Sequence, residues 1–333
     1  MRTLVATAVL AAIVARVGTG PFLHGLASLD APTLAAAILL CAVGTAAAAW
    51  RWQLIARRLG VGLPFSTAVA MYYRSQFLNS VLPGGVIGDV QRAVDHGRSA
   101  ENVGMATRAV AVDRVVGQVV QFALAVLVLS FFGAEFGGVL FTTVGVGLAA
   151  LTVAAIVAMG SARFRRVVRH EAAELRAGLG SASASAQVIA ASVVVVGCQA
   201  AIFAIATTAV GAVVPPLRMA VLAIVVLLAA SIPLNLGGWG PREGIAGWAF
   251  ALAGFGASAG VASATLFGVL AFFSIAAGVI VTRLASLIIT RRNHGDRQPV
   301  RDPQLRDLPR RVPRHGRSAA AHPLEPGGFR PGR

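Results

Sequence analysis

An all-α transmembrane helix bundle of about eight spans is the fold this sequence predicts. Three observations predict it. The 333 residues are 56% hydrophobic and only 13% charged, whereas soluble domains carry roughly a quarter charged residues. Apolar runs long enough to cross ~30 Å of hydrocarbon recur along the chain. Arginine collects in alternate connections between those runs.

In chain order the predicted spans are 4–17, 31–50, 115–132, 139–159, 187–210, 219–236, 243–255 and 261–289. The first and seventh are short, and the seventh reads as a half-helix. Leu4–Val14 follows Arg2 without a convincing cleavage site, so a first transmembrane helix is expected rather than a removed signal. Segment 66–82 is moderately apolar but carries Tyr72, Tyr73, Arg74, Gln76 and Asn79; it is expected to be re-entrant or interfacial. Arg51, Arg57, Arg58, Arg92, Arg98, Arg108, Arg114, Arg163, Arg165, Arg166, Arg169, Arg176, Arg291 and Arg292 all fall on one side of this topology. The positive-inside rule makes that side cytoplasmic, with both termini inside a cell membrane. The opposite connections are nearly free of charge: 133–138 holds only Glu135, and 254–260 nothing ionisable.

Two domains follow. Residues 1–290 form the transmembrane domain. Residues 291–333 are rich in Arg, Pro and Gly, cannot bury a core, and are expected to be a disordered cytoplasmic tail. Segment 163–179 has helical apolar periodicity with arginine on its other face, as in a helix lying on the membrane surface or a solvated connector.

The formal charge of +16 comes from arginine, because the sequence contains no lysine. That excludes a P-loop lysine, a Schiff base and a lysine general base. With the arginines in loops between apolar spans, anionic phospholipid is the expected partner and nucleic acid is not. Cys41 and Cys198 lie within apolar runs and read as small hydrophobes. The six histidines are scattered and suggest no metal site. No nucleophile–base pair is visible, so neither a cofactor nor an enzymatic activity is expected.

The most informative feature is a pair of similar interruptions, one in each half. The first reads Asn79-Ser80-Val81-Leu82-Pro83-Gly84-Gly85-Val86-Ile87-Gly88-Asp89-Val90-Gln91-Arg92. The second reads Pro233-Leu234-Asn235-Leu236-Gly237-Gly238-Trp239-Gly240-Pro241-Arg242-Glu243-Gly244. Non-helical backbone at membrane depth is tolerated only where protein or a wet cavity covers it. Matching Gly-rich breaks in two pseudo-repeated halves point to a transporter-type site. Gly84, Gly85, Gly237 and Gly238 permit sharp turns and close approach. Helices starting near Gly88 and near Gly240, with Pro241 suited to a first turn, would aim their N-termini at the breaks, where phosphate binds readily. Arg92 and Arg242 would add forked donors. The alternatives are structural: an Asp89–Arg92 pair on one helix, and Arg242 as a topology signal with Glu243 a first-turn acid favoured by the helix dipole.

Asp113 and Arg114 open the third span, and Asp113, Gly117 and Gln121 share a face. That polar stripe is either a cavity wall or a pair of boundary charges with a glutamine seeking a bundle partner. Gln199, Thr207 and Thr208 suggest helix–helix hydrogen bonds. Trp50, Trp52, Tyr72 and Tyr73 suggest interface anchors. Asn79 and Asn235 suggest loop caps or ligand contacts.

The order of these pieces resembles the flippase-like family, also called the lysylphosphatidylglycerol synthase transmembrane region. The resemblance lies in Phe77-Leu78-Asn79-Ser80-Val81-Leu82-Pro83-Gly84-Gly85 with Gly88-Asp89 and Arg92, then Asp113-Arg114-Val115-Val116-Gly117, then Gly237-Gly238-Trp239-Gly240-Pro241-Arg242-Glu243-Gly244. It implies a multi-pass membrane protein. Some relatives move aminoacylated phosphatidylglycerol between leaflets, others accompany lipid-linked glycan assembly, and bifunctional ones add an aminoacyl-transferase domain. After Ile289 this sequence has only its Arg/Pro tail, so lipid aminoacylation is not expected of it. Ile87 replaces a common Gly, which puts tight packing of that turn in question. Pro241 replaces a common aliphatic residue and suits a helix start.

The expected function is translocation of an anionic phospholipid or polyprenyl-phosphate lipid. Asn79, Pro83, Gly84, Gly85, Gly88, Asp89, Arg92, Asp113, Arg114, Gly237, Gly238, Arg242 and Glu243 are the candidate lipid-binding residues. A rival reading is a non-transporting membrane partner that recruits a glycosyltransferase or lipid-modifying enzyme. A third is a lipid transferase using Asp89, Asp113 or Glu243 as a base.

Overall fold

A computed structural model of the chain describes residues 18–82, 85–132, 182–231 and 240–295. The expected spans at 4–17 and 139–159, the segment 163–179 and nearly all of the tail lie outside the described residues. So do Pro83, Gly84, Gly237 and Gly238. The chain divides into two units, Met1–Leu287 and Ile288–Arg333, and the first contains the bundle.

Every regular element among the described residues is a helix. In order they are α1 (Gly20–Ala27), α2 (Ala31–Arg58), α3 (Phe65–Val81), α4 (Ile87–Ser99), α5 (Val103–Phe132), α6 (Ala182–Ala209), α7 (Pro216–Ala230), α8 (Pro241–Leu252) and α9 (Ala257–Gly295). α2, α5, α6 and the stretch Ala257–Leu287 of α9 are long and apolar enough to cross a membrane. The chain is therefore a polytopic helical membrane bundle.

Local chemistry sets the helix ends. Asp30 is the N-cap of α2: its extended backbone turns the carboxylate onto the Thr33 amide at 2.7 Å. Arg57 and Arg58 sit in the last turn of α2, where a cation meets the negative end of the helix dipole. Gly60, at φ +75°, then takes the left-handed conformation that ends the run. α8 begins at Pro241, with Gly240 as its N-cap, in keeping with the expected helix start near Gly240 and two residues before the predicted span.

Most predicted boundaries move by several residues, and three differences bear on the site. Segment 66–82 is a regular helix, α3, up to the first break. α5 starts at Val103, twelve residues before the predicted span, so Asp113 lies inside a helix and not at its mouth. α7 stops at Ala230, and residues 232–236 of the sixth predicted span lie outside the described residues.

Two apolar clusters hold the bundle. The larger surrounds α7, whose residues Val221–Leu227 are all buried; a helix apolar all round belongs in the centre of a bundle. Phe203 packs edge-on against Phe250 and Phe267, at centroid distances of 6.1 and 5.8 Å. The smaller cluster joins the C-terminal half of α2 to Val61, α3, α4, the start of α5 and the start of α6 through Trp52, Ile55, Ala93, Ala109, Val112 and Val188. α2 and α6 approach closely along small residues: a Cβ on Gly44 would sit 3.4 Å from the Cβ of Cys198. Both cysteines are free thiols. Trp52 and Tyr73 are core residues, not interface anchors. Thr207 and Thr208 bond back to the Phe203 and Ile205 carbonyls of their own helix rather than to a neighbour.

Candidate functional site

The first break brings α3 and α4 together as an antiparallel pair. Gly88 is the reason they fit. It is buried, and a Cβ there would overlap the Ser75 carbonyl of α3. Its N–H donates to Asn79 Oδ1 at 2.8 Å, so a side chain near the end of α3 caps the start of α4. The amide of Asn79 turns its other end to Asp89 Oδ2 at 3.1 Å. Asn79 is thus a loop cap. Ile87 is 43% exposed; it faces outward and leaves the tight approach to Gly88.

Asp113 is fully buried and is the hub of the site. Its Oδ1 accepts from Arg51 Nε at 2.8 Å, and its Oδ2 from the Tyr72 hydroxyl at 2.9 Å and Arg92 Nη2 at 3.3 Å. Arg51 also donates to Ser192 Oγ on α6 at 2.9 Å. Gly117 makes room for it, since a Cβ there would stand 3.0 Å from Arg51 Nη2. Arg92 lies between two rings, with its guanidinium carbon 4.6 Å from the centre of Trp52 and 4.2 Å from that of Tyr72.

Asp89 extends the network outward. It accepts from Ser75 Oγ, Asn79 Nδ2 and Arg92 Nη2, each at 3.1 Å, and from Arg114 Nη2. Three guanidiniums therefore meet two carboxylates, and the group keeps one positive charge. Burial disfavours the charged form of Arg92, but Tyr72, Asp113 and Asp89 hold it above its ordinary value. Among the described residues, buried Arg92 Nε and Nη1 meet no hydrogen-bond acceptor. A buried guanidinium with spare donors is uncommon in a finished structure.

The second break delivers a smaller site. Gly240, at φ +126°, is the N-cap of α8. Glu243 is fully buried; its Oε2 accepts the Gly240 N–H at 2.7 Å, and its Oε1 accepts from Arg242 Nε at 2.9 Å and from Nη2. The first-turn acid is real, and Arg242 is buried rather than a marker of the water boundary. The Arg242 guanidinium lies 5.4 Å from the centre of the Phe267 ring and against Gly268 of α9, where any Cβ would overlap it.

These contacts of Arg92 and of Arg242 share no residue. One polar link between the halves runs along α5. Eight residues along it from Asp113, Gln121 donates to the Leu227 carbonyl at 3.0 Å and to Ser231 Oγ at 3.1 Å, where α7 enters the second break. At 1.5 Å per residue that spacing is about 12 Å. The stripe Asp113–Gly117–Gln121 is a filled polar seam: one end binds two arginines, the middle admits one of them, and the far end ties down α7.

Arg51 is a site residue that its sequence context hides. It stands beside Trp50 and near Arg57 and Arg58, where a cation reads as a topology signal. Its helical face is the available clue, because Ala48, Trp52 and Ile55, at three, one and four residues away, are all buried.

A bundle with spanning helices, a broken segment and an ionic network buried among helix ends defines a polytopic membrane protein with a built polar centre. Residues 1–278 match the family described as Lysylphosphatidylglycerol synthase TM region, and the chain belongs to that family. No curated protein and no solved structure matches it.

Proposed function

We propose that the protein translocates an anionic lipid, either a phospholipid or a polyprenyl phosphate, across the cell membrane without making or breaking a bond in it. Membership of a family named for a phospholipid synthase supports a role in lipid metabolism or translocation. The observation that carries the finer reading is Arg92. It is buried, stacked between two aromatic rings, and keeps two donors without acceptors inside a group of net charge +1. Forked donors of this kind match phosphate oxygens.

The hollow beside Arg92, lined by Ser75, Gly88 and Gln91 among others, holds about 10 Å³. That is room for roughly one water. A phosphate therefore reaches Arg92 only after the α3–α4 turn opens, and this arrangement is the closed state of the cycle. Arg242 with Glu243 is the corresponding anion-handling pair of the second half. With the arginine-rich ends in the cytoplasm, both termini lie inside. A lipid-modifying enzyme or glycosyltransferase is the natural supplier or user of the lipid.

The test is movement of fluorescent phosphatidylglycerol, against phosphatidylcholine, in proteoliposomes. Anionic lipid is expected to cross faster. The double variant Arg92→Gln, Arg242→Gln, checked for monodisperse folding, is expected to lose that difference. Normal flipping by the folded double variant overturns the assigned roles.

A further inference from the structure

One arginine of the network lies outside. The side chains of Arg51 and Arg92 are 6% and 1% exposed, and that of Arg114 is 51% exposed. Arg114 reaches Asp89 and, at 3.5 Å, the Gly85 carbonyl. It is also the donor Asp89 can best spare, because Ser75, Asn79 and Arg92 still hold that carboxylate when Arg114 leaves.

The surroundings of Arg114 are apolar and outward-facing. Val86, the N-cap of α4, and Val90 in its first turn lie close to Asp89 in the chain. Val115 and Val119 run from Arg114 down the outer face of α5. These four valines are between 45% and 61% exposed. α5 is long and apolar enough to cross a membrane, so the outward face that carries Val115 and Val119 is one a bilayer would cover just below Arg114. An ionisable group on such a face is rare and has a specific partner. The network holds three arginines against two carboxylates, and the excess charge lies at the exposed Arg114; the anion that suits a guanidinium above a wall of valines is a lipid phosphate.

We propose that Arg114 is a lateral docking point for the phosphate of an anionic phospholipid, with acyl chains lying along Val90, Val115 and Val119. The phosphate takes Arg114 from Asp89, and the release of that contact loosens the α4 start against α5. The proposal rests on the lipid-handling reading for its purpose, but it is a statement about binding and can stand or fall separately.

Photo-crosslinking tests it. A benzophenone side chain is placed at Val90, at Val115, or at Leu39, an exposed α2 position twelve residues from the nearest arginine of its helix that serves as reference. The full chain in nanodiscs of phosphatidylglycerol and phosphatidylcholine is irradiated, and the attached lipid is identified by mass spectrometry. Phosphatidylglycerol is expected in about fivefold excess at Val90 and Val115, equivalent to ~1 kcal/mol per arginine near anionic lipid, and near parity at Leu39. Arg114→Gln is expected to bring all three positions to parity, and Arg114→Lys to keep part of the excess. Since Arg114 is half-exposed and Ser75, Asn79 and Arg92 still hold Asp89, both variants are expected to stay folded. Parity at Val90 in the parent, or an excess that survives Arg114→Gln, overturns the docking site. Enrichment without any lipid flipping supports the docking site and overturns translocation; flipping of anionic lipid without enrichment does the reverse.

Discussion

Arg51 and Arg92 grip the same carboxylate by its two oxygens: Arg51 Nε holds Asp113 Oδ1 at 2.8 Å, and Arg92 Nη2 holds Oδ2 at 3.3 Å. One arginine comes from α2 and the other from α4, while the acid belongs to α5. The pairing therefore locks three helices at one buried point. Such a point contributes little net stability when whole, since desolvation offsets the attraction, but it is costly to break.

Asp113→Asn is accordingly expected to destabilise the protein by about 3–5 kcal/mol, because it leaves two buried cations short of a counter-charge. Arg51→Ala should cost a similar amount. The Arg51→Ala, Asp113→Ala double variant should lose clearly less than the sum of the two single variants, as groups in one network do. Chemical denaturation in detergent micelles, followed by tryptophan fluorescence, measures all of these. Strict additivity would mean that the two groups are not coupled.

The turn between α3 and α4 makes a sharper geometric prediction. A methyl group on Gly88 would overlap the Ser75 carbonyl, which is backbone and cannot rotate away. Gly88→Ala should cost roughly 1–3 kcal/mol, as overpacking does. Ile87→Ala, one residue earlier and facing out, should change stability by no more than about 0.5 kcal/mol. Equal losses at the two positions would argue against the close approach of α4 to α3.

Much of this arrangement is legible in the sequence. Gly88, Asp89, Arg92 and Asp113 stand out because ionisable groups and glycines in apolar segments need a reason. Pro241 marks a helix start and is one. Other features are hidden for a physical reason. A charge beside tryptophan at the end of an apolar run looks the same whether it faces water, as Arg57 and Arg58 suggest, or turns inward, as Arg51 does. Composition gives depth along a helix, whereas burial depends on the face. The same confusion makes Trp52 and Tyr73 read as anchors when they are core. The third span is drawn too short because hydropathy ends at Arg114, while the helix itself continues back to Val103.

Gly268 offers a test of the second site. It lies on α9, far along the chain from Arg242, yet a methyl group there would strike the guanidinium. Gly268→Ala should therefore displace Arg242 and weaken its hold on Glu243. In the parent background the loss should be about 1–3 kcal/mol. In an Arg242→Ala background the same substitution should be nearly neutral, since the space is then free. Thermal melts of the four proteins in one detergent complete the cycle, and an equal loss in both backgrounds would place the conflict elsewhere.

His96 predicts a pH effect. The ring is 2% exposed, and its Nε2 meets the Val61 carbonyl at 2.8 Å. Trp52 packs edge-on against it at a centroid distance of 5.1 Å, and Arg92 is the charged group that faces it. Burial, the largest influence, lowers its proton affinity; Arg92 lowers it further, and the Val61 carbonyl opposes both. The folded protein therefore favours neutral His96 more than the unfolded chain does. As pH falls, the unfolded chain takes up this proton first, so stability is full above the ordinary histidine value of about 6.5 and is lost below it, down to the lowered folded value. The melting temperature should drop between about pH 7 and 5, above the range where ordinary carboxylates titrate. His96→Gln keeps an N–H for the Val61 carbonyl but cannot titrate, so its melting temperature should stay level over that window. A drop of the same size in His96→Gln would assign the effect to another group.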